Sequence, residues 1–479
     1  MIIKVSGYER CWLQWFSTQW VFAFTVHINI FLHQFEAMKE KQNNKNTILD
    51  VDLPLHCWYR FVLSFPPHLV RKYLSDFRLS KHDVILDPFC GTGTTIVEAK
   101  KNGIPSIGCD AHPLAVLASR VKTHWGYDLK AIASILSKIV HQAERSFTTH
   151  GLLPITSLSQ SVMTDLPSSN FALNDDENEI LPNGFISDRP LRRILILRNE
   201  IENETSDHSV LVKDFFLLAL ANVIANGACN FAHGPEIYRK KSIIDYDVLT
   251  HFSAQVNRMC YDLKENVVIN NIDVHSQVFF EDARLLSRIS DGISAVITSP
   301  PYPNEKDYTR TTRVESILLG LITSPKMLRS VKNSLIRSNT RNTFAEDRDA
   351  EEVKDFQSIQ KICQAIEERR NFLRKTSGFE RLYHKVVAHY FGGMRLHFRS
   401  LHARLREKAQ LAYVVGDQLS YLMVHIPTAR ILSEIAESEG FRIVRFDHWR
   451  NRQATRSKYG GELNKKLKIR EEVLILERS

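Results

Sequence analysis

Short apolar runs alternate with longer amphipathic stretches along much of this chain, the pattern of strands buried on both faces and linked by helices. Val84-Ile85-Leu86 is one such run. It leads into a glycine-containing turn and a helix reaching Asn102, which Gly103 stops. A second strand, Ser106-Ile107-Gly108-Cys109, ends at Asp110, and Pro113 opens the next helix, Leu114 to Lys122, at a position that tolerates a missing N–H. An earlier helix is expected around Pro67 to Phe77. Together these elements read as a βαβα half of a doubly wound sheet.

Strand-like runs resume at Gln277-Val278-Phe279-Phe280, ending on Glu281-Asp282, and at Ala295-Val296-Ile297. Near the carboxyl end, Leu411 to Asp417 predicts a strand, Thr428 to Ser438 a helix stopped by Gly440, and Phe441 to Phe446 a strand. The last apolar run, Glu472 to Leu476, is expected to close an antiparallel pair at the sheet edge. Between Gly126 and His275 the pattern is helical and less regular, with an acidic loop at Asn174 to Glu179 and an apolar helix at Asp214 to Asn226. A second charged, helical stretch runs from about Ser324 to Lys408.

With 479 residues the chain can bury a large core in two or three domains. Its formal net charge of +9 is unevenly spread: Leu321 to Gln410 holds 19 Lys plus Arg against 10 Asp plus Glu, and Phe441 to Ser479 holds 11 against 5. Such a second half suits a polyanion, and it equally suits a solvated helical surface. Seven cysteines without a C-x-x-C pair predict neither a disulfide framework nor a zinc site, and point to a reducing cytoplasm. The 19 histidines form no H-x-x-x-H pair, so no metal is expected.

Residues 1 to 37 stand apart. No charged side chain occurs from Cys11 to Phe35, and Trp12, Trp15 and Trp20 crowd together, but interspersed Gln, Ser, Thr, His and Asn argue against a spanning helix. No basic leader and cleavage pattern makes it a signal peptide. An upstream start codon accounts for it best, with Met38 opening a more ordinary polar beginning.

Two motifs carry chemistry. Asp87-Pro88-Phe89-Cys90-Gly91-Thr92-Gly93-Thr94-Thr95 follows the first strand, and Thr298-Ser299-Pro300-Pro301-Tyr302 follows the Ala295 strand, so both lie at strand carboxyl ends, where open α/β sheets bind ligands. Gly91 and Gly93 let a ligand approach the backbone. A triphosphate loop would need G-K-S/T, and a dinucleotide fingerprint would need glycine in place of Ile96; neither is present. Asp110 is placed either to accept hydrogen bonds from ribose hydroxyls or to cap the following helix. Asp282 is placed to meet an adenine amino group. Ser299 and the Pro300 carbonyl can accept the hydrogens of an exocyclic amine, whose lone pair is otherwise delocalised into its ring. The prolines fix the backbone, and Tyr302 can stack on an extruded base, although a proline turn with a packed tyrosine looks the same in sequence.

On these residues the chain resembles the DNA amino-methyltransferases. The resemblance covers Asp87-Pro88-Phe89-x-Gly91-x-Gly93-Thr94-Thr95, Asp110, Ser299-Pro300-Pro301-Tyr302, the preceding Phe65-Pro66-Pro67-His68-Leu69-Val70, and the closing segments Arg456 to Tyr459 and Ile469 to Val473. It implies a Rossmann-like class I methyltransferase sheet, seven strands with an antiparallel final strand, interrupted by two largely helical insertions. It implies S-adenosyl-L-methionine as cofactor, held by Asp87, Phe89, Gly91, Gly93, Thr94, Asp110 and Asp282, and catalysis by Ser299, Pro300, Pro301 and Tyr302. DNA is the implied partner, with a cognate restriction endonuclease, no metal and no membrane, in the cytoplasm.

The expected organisation is a cofactor-binding half at 38–125, a helical insertion at 126–275, a catalytic part at 276–323, a basic helical insertion at 324–408 and the end of the sheet at 409–479. Serine at the head of the second motif resembles the N4-cytosine group more than the N6-adenine group, which stays the alternative. An RNA guanine-N2 methyltransferase and a non-catalytic nucleic-acid-binding protein remain further readings. Methylation of cytosine carbon 5 needs a cysteine, typically after proline, and no Pro-Cys dipeptide occurs. Target recognition is assigned to the insertions, with Arg329, Lys332, Arg337 and Arg341 as first choices for phosphate contact. Asn304 to Arg310 is expected to border the target pocket.

Overall fold

The computed structural model describes residues 47–61, 64–153, 171–233, 237–267, 269–304, 307–420, 422–453 and 468–479. The expectations for residues 1–37 and for Arg456 to Tyr459 lie outside them. The sheet, its helices and the loops at the strand ends all belong to one unit, Asp50–Ser479.

Seven strands form the main sheet: β1 (Ile85–Asp87), β2 (Ser106–Asp110), β3 (Ser276–Phe280), β4 (Ile293–Thr298), β5 (Leu405–Gly416), β6 (Phe441–Gln453) and β7 (Lys468–Arg478). Their order is β6-β7-β5-β4-β1-β2-β3. The five from β3 to β5 run parallel, and β7 is antiparallel to both β5 and β6. This is the doubly wound class I sheet expected from the sequence.

The last apolar run closes an antiparallel pair at the sheet edge, as expected. Within that pair β7 is the inner strand, between β5 and β6, because its run is apolar on both sides: Val473 and Ile475 enter one core, Leu474 and Leu476 the other. The edge falls to β6, whose Arg442, Arg445, Asp447, Arg450 and Arg452 suit a solvated rim.

Alternation along the inner strands sorts the two faces. Leu86, Val296, Leu411, Tyr413 and Leu474 pack in one core, while Ile85, Ala295, Ile297, Ala412 and Val414 pack on the other face against α1 (Pro67–Asp76). Each Leu, Ile or Val among them contributes about 1.5–3 kcal/mol on leaving water. The central strands are therefore a rigid base for the loops at their carboxyl ends. Helices α2 (Thr94–Lys101) and α3 (Pro113–Thr123) follow β1 and β2.

Between α3 and β3 lie α4 (Leu129–Thr149), α5 (Asp175–Ile180), α6 (Asp188–Glu204), α7 (Val210–Val223) and α8 (Val248–Glu265). The expected acidic loop is helix α5. The Asn174 side chain accepts the Glu177 N–H at 2.8 Å, and Glu177 reciprocates with the Asn174 N–H at 3.1 Å, while the acids sit at the favourable end of the helix dipole. The stretch Val210–Ala228 is long and apolar enough to cross a membrane by composition, yet Phe215 to Ala221 are buried in the core formed with α6 and α8.

Between β4 and β5 come α9 (Pro325–Ser334), α10 (Gln357–Phe372) and α11 (Tyr383–Arg404), and α12 (Thr428–Ser438) follows β5. Tyr390, Phe391, Met394, Phe398 and Leu401 of α11 share a core with β5 and α12, so this helix is a layer of the sheet itself.

Candidate active site

Both chemical motifs emerge side by side, since β1 and β4 are neighbours. Asp87, fully buried at the end of β1, accepts the Thr298 hydroxyl at 2.6 Å and the Phe89 N–H at 3.1 Å, both on Oδ1. Its Oδ2 is buried with no hydrogen-bond partner. Burial pushes the Asp87 carboxyl up to about 6, against the Thr298 and Thr95 hydroxyls and the Phe89 N–H, with nearby Asp110 adding to the rise. A buried, underbonded oxygen of this kind is an acceptor waiting for a donor.

The turn between Asp87 and α2 depends on its glycines. Gly93 sits at φ 87°, and a Cβ there would lie 3.1 Å from the Ser119 Cα, a backbone atom that cannot yield. Gly91, at φ 51°, donates its N–H to Asp110 Oδ2 at 3.0 Å. Asp110 Oδ1 takes the His112 N–H at 2.8 Å. The residue that caps α3 is His112, so Asp110 bridges the loops after β1 and β2 rather than capping the helix. Burial pushes its carboxyl to about 6, opposed by the N–H groups of His112, Gly91 and Ala111. Thr94 is buried in the first turn of α2.

Phe89 packs edge-on to His397 of α11, ring centres 4.9 Å apart. Burial lowers the His397 imidazole to about 4. The neutral ring carries one N–H, which Nδ1 gives to the Ala283 carbonyl at 2.8 Å, while Nε2 accepts the Tyr413 hydroxyl at 2.6 Å. Asp282, beside Ala283, has both carboxylate oxygens taken by the Arg284 guanidinium, the shortest bond being 2.6 Å. Lys122 is buried and donates to the carbonyls of His56 and Thr92, each at 3.1 Å, and to Tyr59. It ties the segment before α1 to the glycine turn, and burial lowers its ammonium to about 7.

On the other loop, the half-buried Ser299 donates its hydroxyl hydrogen to the Val414 carbonyl of β5 at 3.1 Å. Its oxygen thus offers lone pairs to any further partner. Tyr302 donates to Glu471 Oε1 of β7 at 3.0 Å, Arg450 engages the other oxygen of Glu471, and Arg452 lies 5.3 Å from the Tyr302 ring centre. Burial, followed by the Glu471 charge, pushes the Tyr302 hydroxyl well up, so it stays protonated. Asn304, at φ 65°, donates to the Leu419 carbonyl at 2.6 Å. The loop after β4 is therefore held by the segments following β5 and by β7. Pro300 is buried and Pro301 half-buried. Residues 305 and 306 lie outside the described residues.

The sequence assigns no role to Thr298 or Glu471, although both fall in quoted segments, and it gives no sign of Lys122, His397 or Arg452. Only Thr298 had a local signal, as the last residue of its strand. Two of the cations assigned to phosphate contact are structural instead. Arg337 is 4% exposed, pairs with both oxygens of Asp347 at 2.8 and 2.6 Å, and donates to the carbonyls of Lys332, Asn333 and Leu335. Lys332 is largely enclosed and lies 3.4 Å from Asp307. Arg329 pairs with Glu346 and covers the Phe344 ring. Charge counting cannot distinguish such internal clamps from a binding face. Among the described residues, no three His, Cys, Asp or Glu side chains come together as a metal site.

The sheet order and the paired strand-end loops are those of an α/β methyltransferase. A DNA methylase family (N6_N4_Mtase) matches residues 6–119. The chain is similar to the type II methyltransferase M.BsoBI of Geobacillus stearothermophilus, 26% identical over 471 residues, covering 91% of this chain and 87% of that protein. It is similar to the type II methyltransferase M.AvaI of a Nostoc species, 22% identical over 407 residues, 81% of this chain and 80% of that protein. A tRNA (guanine(10)-N2)-dimethyltransferase of Methanocaldococcus jannaschii is 46% identical over only 44 residues, 9% of this chain. The matched DNA methylase domain and the similarity to two type II methyltransferases along most of the chain support a DNA amino-methyltransferase family.

Proposed function

We propose that this protein methylates the N4 amino group of cytosine in DNA at a defined sequence, as the modifying half of a restriction-modification pair with a cognate endonuclease. The observation that carries the reading is the Ser299 hydroxyl, whose hydrogen is engaged by the Val414 carbonyl. With its hydrogen so committed, Ser299 acts as an acceptor. With the Pro300 carbonyl it would draw the hydrogens of a target amine and localise the nitrogen lone pair for attack. Tyr302, fixed through Glu471, would stack against the extruded base. Serine at this position, as in the N4-cytosine group it resembles, favours cytosine over the N6 of adenine.

The family implies S-adenosyl-L-methionine, which supplies the electrophilic methyl group when bound. The residues present fit it. The orphaned Asp87 Oδ2 suits the ammonium of its methionine part, and the lone pairs left on Asp110 suit ribose hydroxyls. Gly91, Gly93 and Thr94 would line its backbone side and Phe89 its apolar side. For Asp282 to meet the adenine amino group, Arg284 would have to give up part of its hold on that carboxylate.

The broad likeness to two type II methyltransferases, against 9% coverage by the tRNA enzyme, favours DNA over RNA. The test is transfer from labelled S-adenosylmethionine to unmethylated DNA and to total RNA, followed by nucleoside analysis. N4-methylcytosine is expected. N6-methyladenine would move the assignment to the alternative base, label in RNA alone would overturn DNA as substrate, and no label despite bound cofactor would favour a non-catalytic role.

A further inference from the structure

Arg337 and Lys332 are committed internally, whereas the turn joining α10 to α11 presents exposed cations. From Arg369 to Lys385 there are six Lys or Arg and a single Glu. That Glu380 lies 3.7 Å from Lys375 and accepts the Ser377 N–H at 2.9 Å, so it serves the turn itself. Arg370 closes the turn from the other side by donating to the Lys375 carbonyl at 2.5 Å. Arg374, Arg381 and Lys385 are exposed and have no acidic partner among the described residues. Beside them stand two of the most exposed large apolar side chains described, Phe372 at 81% and Phe379 at 59%. Exposed aromatics interleaved with unpaired cations suit a polyanion that also offers flat, stackable faces.

The turn is also tied to the catalytic loop. Arg369, three residues before Phe372, donates to the Leu422 carbonyl at 2.7 Å. Leu422 lies in the small antiparallel hairpin of Gln418–Leu419 with His425–Ile426 that follows β5. The same hairpin takes Asn304 through the Leu419 carbonyl at 2.6 Å. Two hydrogen bonds across one hairpin thus link the basic turn to the loop carrying Ser299, on the side of the sheet where a target base must enter.

We propose that this turn grips duplex DNA beside the extruded nucleotide, with Arg374, Arg381 and Lys385 on phosphates and Phe372 packing into the groove. The proposal rests on the reading of the protein as a DNA methyltransferase and names the surface that holds its substrate. Each phosphate contact adds about 0.9 to the slope of log affinity against log salt.

The test compares the wild-type protein with the triple variant R374A/R381A/K385A and with Phe372→Ala on unmethylated duplex DNA over a range of salt. The triple variant is expected to keep its melting temperature, cofactor affinity and kcat. Its KM for DNA should rise about tenfold to a hundredfold, and its salt slope should fall by about 2 to 3. Phe372→Ala should weaken DNA binding several-fold with the slope unchanged. An unaltered KM and slope in the triple variant, alongside active wild type, would overturn the surface alone and leave the turn to another partner. Wild type that modifies no DNA would overturn the functional reading and the surface with it.

Discussion

Asp87 and Glu98 are buried carboxyls eleven residues apart on either side of one glycine turn, and their surroundings are opposite. Glu98 accepts from His56 at 2.8 Å and Arg71 at 2.7 Å, with Lys101 at 3.5 Å. Burial alone would raise its carboxyl, but these donors and charges outweigh burial and hold it at about 2. Asp87 has hydroxyl and N–H donors on one oxygen and nothing on the other, and burial prevails, at about 6. A saturated carboxylate locks structure together. An unsaturated one held near neutrality is ready for a ligand.

The sharpest way to break this contrast is Glu98→Ala. It leaves His56 and Arg71 without their shared acceptor, and a loss of about 3 kcal/mol is expected in thermal or denaturant unfolding. The folded fraction should retain cofactor affinity within about twofold; a variant as stable as wild type would remove the structural role. Next in size is Ser299→Ala, expected to lower kcat by about a hundredfold, the scale of one lost transition-state hydrogen bond. Its cofactor affinity should be nearly unchanged, and a large drop there would mean that Ser299 serves the cofactor instead.

The smallest effect, and the most diagnostic, is Asp87→Asn. It should weaken cofactor binding by about tenfold, one ion pair's worth, without lowering the melting temperature. The pH profile extends the contrast. Asp87 and Asp110, both raised to about 6, add stability that is full below their ordinary range near 4 and is lost as pH rises through about 6. On the proposed role of both carboxylates in holding the cofactor, affinity measured from pH 5 to 8 should fall on the acid side of about 6, and less steeply in Asp87→Asn. Glu98 runs the other way. Its stabilisation is present above its ordinary range and fails only as pH drops through about 2.

What could be read in the sequence was what short-range chemistry enforces. Val84 to Leu86 before Gly91 and Gly93 announces a strand and a ligand turn, and Gly440 announces the end of α12 within two residues. The second half of β6, Asp447 to Gln453, gave no apolar signal because it is a charged edge strand. The Asn174–Glu177 capping box was present but outweighed by the acidic composition around it. The pairing of Tyr302 with Glu471 spans 169 residues, and that of Tyr59 with Glu315 spans 256; no local pattern encodes such contacts. Arg337 and Arg374 are alike in sequence, and only burial separates an internal clamp from an exposed cation.

The insertion of β7 between β5 and β6 has a consequence for the order of events during synthesis. When the ribosome has translated through β6, the glycine turn and Ser299 loop already exist, yet the sheet lacks an interior strand and Tyr302 lacks its anchor on Glu471. The nascent chain then holds both strand-end motifs without the anchor that fixes the loop after β4. The final strand completes the sheet against β5 and brings β6 in with it, since β6 pairs with β7 alone. Pairing β7 with β5 and tying Tyr302 to Glu471 are contacts of high sequence separation, costly in loop-closure entropy.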